Sequence, residues 1–270
     1  MNQNHCSALV IVTTLAIAFF ANAPAAQSAD DRGKGLAIAT EAEKRDLGWL
    51  DSEVTLYMVL RNKQGKESTR TIRQSSLEIP EAGFGDRSLV IFDSPKDVEG
   101  TALLSHTKTL KPDDQWLFLP ALKRVKRISS KNKSGPFVGS EFAYEDLLSQ
   151  EIEKYSYKWL RDEELNGQRF FVVESTPQYK NSGYSKLVMW LDQIEYRVHK
   201  TDYYDRKNSL LKTLTHLGYN KYLDQYWRAD QLRMVNHQTG KSTDLFFNDW
   251  AFQTGQQNAK FTPARLKRAR

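Results

Sequence analysis

The chain has 270 residues, with 39 Lys and Arg against 33 Asp and Glu for a formal charge of +6, 40% hydrophobic residues, 14 Gly and 8 Pro. That length holds one or two modest domains, and the composition excludes a collagen, a coiled coil and a disordered acidic tail. A single cysteine excludes an internal disulfide framework, a four-cysteine metal site and a CxxC redox pair.

Ala8 to Ala21 is an apolar and small-residue run interrupted only by Thr13 and Thr14, and the small residues Ala23 to Ala29 follow. This pattern predicts a secretory signal peptide over residues 1–28, cut between residues 25 and 29 and by preference after Ser28. The run is shorter than the roughly 20 residues of a bilayer-spanning helix. Cys6 precedes it and so cannot be the lipid-modified cysteine that follows a lipoprotein leader. The mature chain, residues 29–270, then keeps the whole charge and has no cysteine, which suits the oxidising periplasm. No Pro, Gly or Ser-rich linker divides it, and a single domain is expected.

Leu36, Ala39, Glu43 and Leu47 have near-helical spacing, with Gly48 placed for a left-handed cap, and predict a helix over 35–47. The period then changes to two. Val54 to Leu60 and Lys66 to Gln74 read as a strand hairpin, and nine further strands follow at 88–93, 101–104, 115–119, 168–175, 185–192, 197–204, 210–219, 226–236 and 242–250. Turn clusters at Asn166-Gly167, 205–208 and 237–240 join sequential strands as antiparallel hairpins. Two stretches break the rhythm: Ser94 to Gly100 reads as a turn or short helix, and Ser140 with Glu141 in the first turn predicts a helix over 141–149.

A sheet of about ten antiparallel strands must curl or be covered. Bulky apolar groups at both strand parities, such as Met58 beside Val59, suggest a curved half-barrel with an apolar inner surface. By parity its lining is expected to comprise Leu56, Met58, Leu60, Leu89, Ile91, Trp116, Phe118, Val188 and Trp190, with Phe142 from the central helix. A register error of one residue would exchange the faces.

No HExxH, GxSxG or phosphate-loop spacing occurs, and Gly83-Phe84-Gly85 lacks the third glycine of a dinucleotide fingerprint. The four histidines after the leader share no metal-ligand spacing. Ser140, His106 and Asp146 can be drawn as a triad, yet Ser140 is better read as a helix cap. The pairs Asp113-Asp114 and Glu145-Asp146 are read as a turn and a helix start. No catalytic residue, metal or cofactor is therefore assigned. The densest charge feature is Lys123, Arg124, Lys126 and Arg127, followed by Lys131 and Lys133. These cations would contact phosphate, of a lipid headgroup rather than a nucleic acid given the leader, or an acidic partner. Gly135, Pro136 and Gly139 bracket Phe137 and Val138, so residues 123–142 are expected to be mobile with an exposed apolar tip.

The series LVIFDSPKDVEGT (89–101), DQWLFLPALKRVKRI (114–128) and GSEFAYEDL (139–147) resembles the outer-membrane lipoprotein-sorting (LolA-like) family of periplasmic proteins, more loosely from about Gly35 to Pro263. The resemblance implies a mainly β fold with helices (α+β): a curved, incomplete antiparallel β-barrel covered by short helices and enclosing a cavity for acyl chains. It implies a monomeric carrier of lipids or lipoproteins towards the outer membrane, touching membrane surfaces transiently and working with an exporter of the resistance-nodulation-division (RND) type. A docking protein on the same scaffold and a lipid-acting hydrolase are the alternative readings.

Overall fold

The computed structural model describes residue 1 and residues 23–81 and 83–268. The apolar leader and Cys6 lie outside the described residues. Helix α1 (Ala23–Arg45) leads into thirteen strands: β1 (Asp51–Arg61), β2 (Glu67–Leu77), β3 (Arg87–Ser94), β4 (Ala102–His106), β5 (Asp114–Leu119), β6 (Arg124–Ile128), β7 (Tyr155–Leu165), β8 (Gln168–Pro177), β9 (Tyr184–Asp192), β10 (Val198–Asp205), β11 (Leu210–Tyr222), β12 (Tyr226–Asn236) and β13 (Ser242–Phe252). A short helix α2 (Pro263–Leu266) ends the described chain.

All strands belong to one antiparallel sheet in the order β6-β5-β4-β3-β2-β1-β13-β12-β11-β10-β9-β8-β7. The chain starts at the centre, steps outward to β6, crosses to the far edge at β7 and returns to pair β13 with β1. Nearly every link is a hairpin. Asn166 and Gly167 both take positive φ, 52° and 78°, the geometry of the tight turn that their sequence predicts.

Residues distant in the sheet share one packed cluster: Val54, Leu56 and Met58 of β1, Phe92 of β3, Leu117 of β5, Ile128 of β6, Tyr203 of β10 and Met234 of β12. Such contacts require the sheet to curl towards this face, although its edges do not join. The gap is filled by residues 129–154, a chain of 3₁₀ turns that buries Phe137 and Phe142 in the same cluster. Each of these rings contributes about 1.5–3 kcal/mol of burial.

Four expectations are corrected here. Strands β6 and β7 add to the eleven predicted, and they are the two sheet edges. Helix α1 starts twelve residues before the predicted Gly35 and ends at Arg45, so the helix cover is one long helix packed on β7 and β8. No α-helix forms over 141–149; the 3₁₀ turn Tyr144–Leu147 stands there instead, and the buried Ser140 hydroxyl donates to the carbonyl of Phe137 at 2.8 Å. The expected apolar tip is buried: Phe137 is only 2% exposed.

Helix α1 buries Ile38 and Ala39 against Tyr157, Val173, Met189 and Leu191. Contact is closest at Gly35, where a Cβ would come within 2.5 Å of the Trp159 backbone nitrogen. Because backbone cannot yield as a side chain can, Gly35→Ala is expected to destabilise the protein by about 1–3 kcal/mol, read as a lower urea midpoint with an unchanged slope.

Candidate functional site

The curled sheet and the crossing segment enclose a cavity of about 830 Å³. Its floor is strand side chains on the inner face: Leu56 and Met58 (β1), Ile72 (β2), Val90 (β3), Leu214 (β11) and Leu245 (β13). Phe137, Phe142 and Leu147 form its roof. The remaining wall comes from Trp49 after α1, Tyr196 in the β9–β10 turn, Trp227 at the start of β12, and Phe247 and Trp250 of β13. A bulge in β13, with Asp249 at φ 57°, places Phe247 and Trp250 in stacked contact at 5.6 Å. The cavity therefore has an apolar depth and an aromatic, charged mouth.

The crossing segment is fastened through buried charges. Lys212, on the inner face of β11, lies 2.6 Å from Asp146 and donates to the Glu141 carbonyl at 3.0 Å. Asp146 also accepts from the Tyr184 hydroxyl and the Ala143 N–H. Glu145 accepts from Tyr179, Ser182 and the Gly183 N–H, while burial pushes its carboxyl above the usual range. Asp113 joins the ammonium groups of Lys133 and Lys154. The paired carboxylates thus serve as anchors. Ser140, His106 and Asp146 are each engaged elsewhere, with the ring of His106 2.8 Å from the Phe261 carbonyl.

At the mouth, burial, followed by the charges of Glu78 and Asp46, raises the Asp86 carboxyl to about 6. Burial, followed by Asp86, raises Glu151 to about 7. His216, which also lines the cavity, is held down to about 4 by burial and by His199. No group of three or more potential metal ligands occurs among the described residues.

Of the ten residues expected to line the interior, Leu56, Met58 and Phe142 line this cavity, and Leu60 packs against the same cluster. The other six lie on the opposite face. Leu89, Ile91, Trp116 and Phe118 meet Phe261 and Leu266 of the C-terminal segment, and Val188 and Trp190 meet Phe170 and Val172. The parity was inverted because β3, β5 and β9 carry bulky apolar groups on both faces, so hydrophobicity carries no directional signal there. The residues missed as a result are their strand neighbours, Val90 among them. Lys123, Arg124, Lys126 and Arg127 are all exposed at the β6 edge, whereas Lys133 of the same run is buried.

The described strands form an open antiparallel sheet curled around a cavity with an apolar floor, a fold that several solved structures share. A family model described as "Uncharacterized protein" matches residues 85–268. A crystal structure from Vibrio parahaemolyticus, described as an outer membrane lipoprotein-sorting protein domain, is 58% identical, with a TM-score of 0.85 over 87% of this chain and 99% of that one. A DUF1329 family protein from Desulfovibrio piger is 28% identical, with a TM-score of 0.83 over 87% and 99%. A LolA superfamily protein from Nitrosomonas europaea shares the fold at 21% identity, with a TM-score of 0.67 over 84% and 97%. No curated protein matches the chain. The chain belongs to the outer-membrane lipoprotein-sorting protein family, and it shares its fold with the LolA superfamily.

Two outcomes follow from the site. Lys212→Met strands a buried carboxylate and should cost about 3–5 kcal/mol in urea unfolding, of which Asp146→Asn in the same chain recovers part. Asp86 and Glu151 have folded pKa values above their unfolded ones, so the folded state binds more protons and their contribution is lost as pH rises through about 6 and 7. The stability advantage of the parent over an Asp86→Asn, Glu151→Gln variant should therefore shrink between about pH 4 and about pH 7 and level off above that.

Proposed function

We propose that the protein is an exported, periplasmic carrier whose cavity shelters acyl chains of a lipid or lipoprotein during transfer towards the outer membrane. The observation that carries this reading is the cavity of about 830 Å³ with its apolar depth, within the roughly 300–1,000 Å³ range of small-molecule sites. Burying roughly ten methylenes at about 0.8 kcal/mol each supplies about 8 kcal/mol. That is the free energy of a micromolar Kd before the costs of association are met. Shape and an apolar floor are sufficient for such binding, and no reacting group is required. Export rests on the leader pattern of residues 1–28, and partnership with an RND-type exporter rests on the family resemblance alone.

Organic extraction of protein purified from the periplasm, followed by mass spectrometry, should release lipid. A polar group on the cavity floor, Met58→Asn, should weaken uptake of a fluorescent fatty acid about tenfold. The same change on the opposite face, Val188→Asn, should leave uptake unaltered, with circular dichroism confirming that both variants fold. Lipid-free protein together with equal uptake by parent and Met58→Asn would overturn the reading.

A further inference from the structure

The strongest feature outside the cavity is electrostatic. Strand β6 is a free edge of the sheet, and its cations project to both sides: Arg124 and Lys126 pair with the inner-facing Leu119 and Leu117, while Arg127 pairs with the outer-facing Trp116. The cations of α2 do not join this edge: Arg265 and Arg268 line a groove with Glu53, Arg73, Leu89 and Asp249, on the side of the outer face away from β6.

Lys123, Arg124, Lys126 and Arg127 are all exposed, four cations within five residues, so the edge carries a local excess of positive charge. Among the described residues only Arg127 of the four forms an ion pair, with Asp114. At the β5–β6 corner, where Lys123 turns with φ 48°, Leu122 stands 66% exposed next to these cations.

We propose that the β5–β6 corner and β6 form a docking face for an anionic phospholipid surface, with Leu122 entering the headgroup region. An exposed leucine followed directly by long cationic side chains matches the layering of a bilayer interface, apolar below and anionic phosphate above. The cations fan out from both faces of one strand, and they enclose no shaped pocket. A laterally mobile anionic surface satisfies that arrangement, whereas a folded acidic partner would need counter-charges fixed to match it. The inference goes beyond the carrier reading and does not depend on what the cavity holds.

Co-sedimentation of the mature chain with vesicles rich in phosphatidylglycerol, against vesicles of phosphatidylcholine alone, tests it. Binding is expected only to the anionic vesicles and should be lost as salt shortens the Debye length from about 10 Å at 0.1 M to about 3 Å at 1 M. Arg124→Gln with Lys126→Gln should weaken binding about thirtyfold, at about fivefold per cation in each of two places. Lys63→Gln with Lys241→Gln, exposed in the β1–β2 and β12–β13 turns, removes the same charge and should leave binding almost unchanged. Leu122→Trp should shift its fluorescence to the blue on anionic vesicles, and Met58→Asn should bind them like the parent. No binding to anionic vesicles, as an acidic protein partner would predict, equal losses in the two paired variants, or an unshifted tryptophan would overturn the proposal.

Discussion

The two edges of the sheet do not meet, and the chain must pass from one to the other. Strand β6 ends at Ile128 and β7 begins at Tyr155, on opposite sides of a thirteen-stranded sheet. The connection runs across the curled inner face, where backbone polar groups have little access to water. Each N–H and carbonyl brought inside needs a partner. Part of the demand is met locally, by Phe137 donating to the Phe142 carbonyl at 2.7 Å and Tyr144 to that of Gly135 at 3.1 Å. The sheet supplies the rest: Gln115 donates to the Tyr144 carbonyl at 2.9 Å, and Arg70 to that of Val138. Because the crossing is tied to so many strands, it occupies only part of the interior and leaves a cavity beside it.

The same constraint accounts for the buried charges. A lysine at an inner-face position such as 212 is costly in desolvation, and removing its counter-ion alone would cost more. The pair with Asp146 links the crossing segment to β11, and the tyrosines around it complete the site. Burial holds the phenols of Tyr184 and Tyr203 well above their ordinary range, so they remain neutral, and the Tyr184 hydroxyl serves as a donor. The Lys212 ammonium lies 5.1 and 5.2 Å from the centres of these two rings. Cation–π contact thereby replaces some of the hydration the lysine gives up. Apolar packing has little directional preference; this network specifies one position for the crossing segment.

The central strands and their hairpin order were legible because alternation and turn chemistry are local signals. The two edge strands were not. Arg124-Val125-Lys126-Arg127 and Arg161-Asp162-Glu163-Glu164 carry the charge that keeps a free edge from pairing with other molecules, and charge hides a strand from a hydrophobic pattern. Ser140-Glu141 looks like a helix start, but the need to pair backbone groups across the gap prevails over that local preference, and the hydroxyl bonds backwards to Phe137. In the candidate site, Leu56 and Met58 were readable because β1 alternates with the half-buried Thr55 and the exposed Tyr57. Leu89-Val90-Ile91-Phe92 gives no such contrast. Its orientation is set by Phe261 and Leu266, some 170 residues later, covering the outer side.

That outer cover also bears on why the larger cavity lies on the inner side. Strands β3 to β5 carry large apolar groups on both faces, and a curled sheet exposes the outer one unless another element covers it. The C-terminal segment does so. Thr254 is held to Asp51 by two 2.7 Å hydrogen bonds, the Phe261 carbonyl meets His106, and Leu266 is only 1% exposed against the outer cluster. With this segment packed on them, Leu89, Ile91, Trp116 and Phe118 serve stability on the outer face, and the cavity of about 830 Å³ is left on the inner one. Because the two faces are built from alternate residues of the same strands, the β3–β5 wall of the cavity is stiffened from behind by the C-terminal segment. Shortening the chain at its end would therefore loosen the cavity without removing a single residue that lines it.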